Sequence, residues 1–151
     1  LTGGSDTSAE EARAISQGVL DITGAAYSAR DFAAYAPHFV VPGDVHAFGG
    51  VRLVKDLADL HDLFMDVAAY FDSIQVTALI RSCISAEFDG PDVIKATHIT
   101  RMMSGTQLLA PPFPGFSLLR RIDGVWKVSS SQYATDDPKL INALARPAEL
   151  G

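Results

Sequence analysis

A chain of 151 residues suits one domain, and one that can bury roughly two-thirds of its unfolded surface without a disulfide or metal staple. Hydrophobic residues make up 48% and charged residues 20%, a balance that excludes a disordered chain. Twelve basic against eighteen acidic residues give a net charge of −6, and the basic ones are scattered (Arg101, Arg120, Arg121), so no nucleic-acid partner is expected.

Cys83 is the lone cysteine and cannot close an internal disulfide; in the strand-like run 79–84 it reads as a small buried thiol. No apolar run approaches the ~18 residues that span a bilayer, so no membrane partner is expected. The opening Leu-Thr-Gly-Gly-Ser-Asp lacks the charged and apolar regions of a signal peptide, and a cytoplasmic protein is the expectation.

The first predicted element is a helix. Ser8 and Glu11 have capping-box spacing, and Ala12, Ile15, Val19, Ile22 and Ala26 recur as one apolar stripe. A short helix over 30–36 is expected to stop near Pro37. Pro42-Gly43 then reads as a turn, 44–48 as a short strand, and Gly49-Gly50 as its end. A long helix over 54–71 follows, with Leu53, Leu57, Leu60, Phe64, Val67 and Phe71 on its buried face.

Beyond Asp72-Ser73 the periodicity changes to two. Over 74–88, Val76, Ala78, Ile80, Ile84 and Ala86 fall on one side, with Gln75, Thr77, Arg81, Ser85 and Glu87 on the other. A turn at 89–92 leads into a return strand over 93–103. The loop 104–115 is apolar and stiffened by prolines. Strands 116–122 and 125–133 form a hairpin across Asp123-Gly124, and a helical turn or two is expected over 138–144. Helices followed by a meander of antiparallel strands argue an α+β domain.

The order of elements is similar to the nuclear-transport-factor-2-like superfamily, and several stretches resemble its SnoaL-like branch. These are Asp31-Phe32 at the second helix, the run 45–50, and the closing 120–128 hairpin with Asp123-Gly124-Val125-Trp126-Lys127. The resemblance runs from about residue 9 to 134 and implies a single cone-shaped domain. A strongly curved antiparallel sheet would wrap the N-terminal helices around a cavity. It also implies a homodimer through the outer sheet surface. The superfamily holds cyclases, isomerases and dehydratases beside domains without chemistry, so the site must decide function.

By resemblance His46 falls near the position of the isomerases' aspartate base. An imidazole suits proton transfer at neutral pH; the alternative is an inert histidine at a strand edge. Asp44 shares its side of the strand, to orient the ring or to serve only as a turn carboxylate. His98 lies on the apolar, inward side of its strand with Ile94, Ala96, Thr100 and Met102, as a satisfied core histidine or a second catalytic candidate. Trp126 and Gln132 share a face of the last strand; the related families often carry a histidine where Gln132 stands. With Tyr27, Met102 and Phe113 they are the expected ligand-binding residues, though core filling is the plainer role for Tyr27. The histidines have no close ligand spacing, so neither metal nor cofactor is expected. The expectation is a cone that binds a small hydrophobic or cyclic molecule, with cofactor-free cyclisation, isomerisation or dehydration by His46. The rival is a non-catalytic binding or dimerisation module. The 104–115 loop is a lid or a dimer contact.

Overall fold

The structure, a computed structural model, describes residues 2–145. Among these, four helices and seven strands follow in the order α1 (Thr2–Ala29), α2 (Phe32–Tyr35), β1 (Phe39–Ala47), β2 (Gly50–Val54), α3 (Leu57–Ser73), β3 (Ala78–Phe88), β4 (Val93–Ser104), β5 (Gln107–Leu108), β6 (Phe113–Ile122), β7 (Val125–Tyr133) and α4 (Pro138–Leu144). One turn of 3-10 helix, Ala36–His38, leads into β1 and holds Pro37.

Helix α1 buries Ala12, Ser16, Val19, Leu20, Thr23, Ala26 and Tyr27, a stripe that lies against β3. It begins at Thr2, so Ser8 and Glu11 sit inside it and cap nothing; Ile22, expected on the stripe, is exposed. The helix ends where Arg30 turns left-handed. Asp31 N–H donates to Ala26 and Arg30 N–H to Tyr27, the paired bonds that close a helix C-terminus. Asp31 then caps α2 by accepting from Ala34 N–H at 3.2 Å. Asp56 does the same for α3, accepting from Asp59 N–H at 2.9 Å, and leaves Leu53 and Leu57 outside the buried face.

The sheet runs β2-β1-β7-β6-β4-β3, with β5 on the far end of β4. It is curved and open. Every pair is antiparallel except β1 with β7, so the expected antiparallel sheet is mixed by one parallel pair. Asp123 and Gly124 both take positive φ, as a two-residue hairpin between twisted strands requires. A β1–β2 hairpin across Phe48-Gly49 replaces the expected end of chain pairing at Gly49-Gly50. Pro42-Gly43 does not break β1: it sits where the register with β7 shifts. A Cβ at Gly43 would lie 2.7 Å from the Val40 carbonyl, so only glycine lets the strand pass.

Strand β3 departs most from expectation. Arg81, Cys83, Ala86 and Phe88 pair with Thr100, His98, Ala96 and Ile94, whose side chains are buried toward the helices. Ile84 is an extra residue between the pairs Cys83–His98 and Ser85–Thr97. Ile80 and Ile84 therefore point outward and Arg81 inward, the reverse of the alternation read from the sequence.

Two apolar clusters hold the helices in the curve. Ala12, Val19 and Leu20 meet Cys83, Ile94, Ala96 and Leu119 at one end, with Phe88 and Trp126 beside them. Tyr27, Tyr35, Phe64 and Phe71 meet Val45, Met102 and Phe113 at the other. Helix α4 closes this second end with Leu140 and Leu144. Among the described residues no helix is long and apolar enough to cross a membrane.

Gly18 lies inside α1, and a Cβ there would meet nothing within 4 Å. Gly18→Ala should therefore stabilise the protein by about 0.5–1 kcal/mol, through a stiffer unfolded chain and better helix propensity. Thermal melting followed by circular dichroism checks this as a rise of roughly 1–4 °C. A fall would mean that Gly18 is a contact point.

Candidate functional site

The two faces of the sheet divide the predicted site residues. In-register neighbours share a face, and the row His46–Gln132–Phe116–Thr97 crosses β1, β7, β6 and β4. The neighbouring row on β7, β6 and β4 is Tyr133–Gly115–His98. Thr97 and His98 are consecutive on β4 and so point to opposite sides. His46 and Gln132 therefore face outward and His98 faces the helices. The expected meeting of His46, His98 and Trp126 around one cavity does not occur. Trp126 lies elsewhere again, half-buried against Phe88 with Arg121 over its ring at 5.6 Å.

On the outer face, His46 Nε2 lies 3.1 Å from Asp44 Oδ1, and Ser130 Oγ donates to the same oxygen. The His46 side chain is 46% exposed. It borders an open groove of about 660 Å³ together with Glu87, Lys95, Phe116 and Gln132. Of the two roles open to Asp44, a contact with the imidazole is the one the geometry has, but over the outside of the sheet and not in the cone.

The cone interior holds a different set. Tyr27, Met102 and Phe113, three of the five expected ligand-binding residues, line one cavity of about 40 Å³ with Arg81, Thr100 and Tyr133. Phe71, Leu79, Leu140 and Leu144 complete its apolar wall. That volume takes about three water-sized groups, against the ~150 Å³ of a cavity that accepts benzene. Aromatic rings fill the rest: Tyr27 stacks on Phe64 at 4.9 Å and meets Phe71 edge-on at 5.5 Å. As it stands, the cone has no room for the expected cyclic compound.

Its polar groups are poorly satisfied. Arg81 Nη2 donates to Leu20 O at 2.8 Å and Thr23 Oγ1 at 2.5 Å, while its Nε is buried without an acceptor. Thr100 Oγ1, directly across the ladder, and His98 Nε2, two residues along β4, are also buried without partners. Each such group costs about 1–3 kcal/mol if nothing meets it. His98 presses on Gly115, where a Cβ would lie 2.5 Å from Nε2, so glycine alone makes room for the ring. Burial, with help from the Arg81 charge, lowers the His98 pKa from 6.5 to about 3. Tyr27 donates to Tyr35 Oη at 3.0 Å, and burial raises both phenols, so neither ionises at neutral pH. Arg81 was the residue missed in sequence; its phase with Leu79 and Cys83 was the available signal.

The remaining histidines are peripheral: His61 is exposed, its ring edge-on to Phe32 at 4.8 Å, and His38 belongs to the 3-10 turn. No group of three or more metal-ligating side chains occurs among the described residues. The 104–115 segment carries β5 and the start of β6, with Ala110 packed on the core and Phe113 buried in it.

No protein-family description matches the chain, and no curated protein is similar to it in sequence. Solved structures are similar in fold. One is a nuclear-transport-factor-2-like protein with a cystatin-like fold from Novosphingobium aromaticivorans, at 14% identity and a TM-score of 0.63 over 85% of this chain and 84% of that one. A ketosteroid isomerase-like protein from Erwinia carotovora atroseptica shares 13% identity at a TM-score of 0.62, over 85% and 98%. A protein of unknown function from Nostoc punctiforme shares 18% at 0.61, over 81% and 89%. The chain has the nuclear-transport-factor-2-like, cystatin-like α+β fold.

The depressed His98 pKa fixes a pH dependence. The unfolded chain gains a proton near pH 6.5 that the folded one resists until about pH 3. The contribution is full above pH 6.5 and lost as pH falls toward 3. Denaturant unfolding of wild type and His98→Gln at pH 7, 6, 5 and 4 should show wild type losing up to about 1.4 kcal/mol more per pH unit below pH 6. Parallel curves would show that His98 titrates normally in the fold.

Proposed function

We propose that the protein is a small-molecule-binding domain whose ligand enters the cone interior, and that it acts there by binding and not by acid–base chemistry. The observation that carries this reading is the buried pair Arg81 Nε and Thr100 Oγ1, both without partners and both on residues that line one cavity. Groups of this kind are rare in a finished core and are expected where a ligand or ordered water completes them. His98 faces inward, but a base whose conjugate acid has a pKa of about 3 takes few protons at neutral pH. Acid–base chemistry by His46, with Asp44 as its orienting partner, belongs on this geometry to the outer groove and not to a cone ligand. Among structures of the same fold, one is described as a putative aromatic ring hydroxylase from Novosphingobium aromaticivorans, another as isomerase-like, so the fold itself does not choose. An acidic protein with one buried cysteine fits a cytoplasmic setting.

A thermal-shift screen of small polar fragments tests the site. Fragments that raise the wild-type melting temperature should lose their effect in Leu79→Phe, whose larger ring occupies the cavity. Shifts that persist in Leu79→Phe, or no shift from any fragment with wild type, would overturn the reading.

The outer face supports a partner proposal, a second copy of this chain. Ile80, Ile84 and Phe116 are 46%, 57% and 42% exposed on it. Glu87 faces Lys95 across the ladder there, so a two-fold axis can set opposite charges together. Light scattering after gel filtration should give twice the chain mass for wild type and the single mass for Ile84→Glu/Phe116→Glu. A monomeric wild type at tens of micromolar would rule the dimer out.

A further inference from the structure

We infer that the ligand of the cone interior is a small monocarboxylate, its head group held by Arg81 and Thr100 and its body lying along the apolar wall. The inference rests on the reading of the cone as a binding site and adds the chemical class.

The argument starts from charge. Arg30, Arg52 and Arg121 each meet an aspartate, at 2.5, 2.8 and 2.6 Å. Arg81 is the arginine carried into the cone, and no carboxylate among the described residues lies within salt-bridge distance of it. Its acceptors are a backbone carbonyl and a hydroxyl, both neutral. A guanidinium stays protonated wherever it is placed, so the half-buried Arg81, its Nε sealed from solvent, carries a positive charge with no counter-charge beside it. The side chains around the cavity offer nothing to supply one: Tyr27 stays protonated, and Met102, Phe113, Leu140 and Leu144 are apolar. A chain with a net charge of −6 thus keeps a positive spot in its interior.

Geometry narrows the anion. The unpartnered donors are Arg81 Nε and, on the residue directly opposite, the Thr100 hydroxyl. One guanidinium N–H and one hydroxyl match the two oxygens of a carboxylate. They are too few for a phosphate dianion. The cavity of about 40 Å³ takes about three water-sized groups, the carbon and two oxygens of a carboxylate. Phe71, Leu79, Met102 and Leu144 then offer an apolar surface to whatever the head group carries. Water would satisfy the hydrogen bonds but not the charge.

Isothermal titration of the full chain with acetate and propanoate, against acetamide and propanamide of the same shape, tests the class. The carboxylates should bind at least tenfold more tightly than the amides, and Thr100→Val should weaken them about tenfold, the loss of one hydrogen bond to a charged group. Arg81→Gln should abolish carboxylate binding. Because Arg81 also ties β3 to α1, Thr100→Val carries the test where Arg81→Gln does not fold. Carbon-13 NMR of carboxyl-labelled acetate adds a readout that packing alone does not move: the bound carboxyl should stay ionised to a lower pH than the free acid. Amides that bind as well as the acids would overturn the carboxylate class and leave the binding site standing. Failure of all four compounds, with fragment shifts that Leu79→Phe still abolishes, would do the same. Failure of all four with no fragment shift would overturn both.

Discussion

The phase of β3 is the constraint on which the interior depends. Cys83 faces His98 and Ser85 faces Thr97, with Ile84 inserted between. A regular strand with Arg81 and Cys83 inward would also turn Ser85 and Glu87 inward, against α1. The extra residue resets the alternation, so that Ala86 and Phe88 pack inward next to the apolar stripe of Ala12, Val19 and Leu20. One bulge lets a single strand bring a guanidinium to one end of the cone and a phenyl ring to the other. Arg81 then becomes a tie between layers. Its Nη2 reaches Leu20 and Thr23 on α1, while Gln17 of the same helix accepts from Cys83 N–H and donates to the Arg81 carbonyl.

The other half of the interior is set by aromatic filling. Tyr27, Tyr35, Phe64 and Phe71 stack and cross within 4.8–5.5 Å of one another in the pairs Tyr27–Tyr35, Tyr27–Phe64, Tyr27–Phe71 and Tyr35–Phe64. Such contacts contribute about 0.5–1.5 kcal/mol each beyond the area they bury, so the cluster is costly to open. What stays empty is the strip between those rings and the polar part of β3 and β4. Helix α4 bounds it on the remaining side. Arg52 Nη1 donates to the Ala143 carbonyl at 3.0 Å and to Asp66 at 2.8 Å, and Tyr70 donates to Asp137 at the N-cap of α4 at 2.5 Å. A Cβ at Gly50 would lie 2.5 Å from the Ala145 carbonyl, so β2 is shaped to receive the end of that helix. Helix α4, seven residues long, is held as well by Leu140, Ala143 and Leu144, which are buried in the core cluster.

Much of this was legible in sequence wherever local and tertiary preferences agree. Strand β7 and helix α4 have the expected bounds, and the Asp123-Gly124 hairpin follows from the positive φ that those residues tolerate. The inward side of β4 was readable because Ile94, Ala96, Met102 and their alternation leave one answer. On β3 the cue misled. Ile80 and Ile84 are the most apolar residues of the strand, and assigning them to the core pushed Arg81 outside. Nothing local marks a bulge, and an outward apolar side chain is paid for only if another surface covers it. The same rule displaced His46. Its strand was read as starting at Asp44, whereas β1 begins at Phe39 and runs through Pro42-Gly43 with Val45 as the core residue. Once Val45 is buried, His46 must face out. The parallel pairing of β1 with β7 is a long-range choice that no local pattern announces.

The two faces of the sheet consequently hold inverse mismatches. Outside, the acidic chain exposes isoleucines and a phenylalanine in a region where polar residues would be soluble at no cost. Inside, it holds a half-buried, permanent positive charge among neutral neighbours, where an apolar side chain of similar volume would pack more stably. Neither arrangement stabilises the isolated domain, and a chain under selection for stability alone would lose both. A charge left without its partner lowers the stability of the empty protein by an amount that binding restores as RT ln(1 + [L]/Kd), so occupancy and fold strength rise together. The interior mismatch is therefore the more informative of the two, because it states a sign. An apolar patch accepts any apolar cover, whereas a guanidinium whose buried Nε, like the hydroxyl and imidazole near it, has no partner asks for an anion with oxygen acceptors.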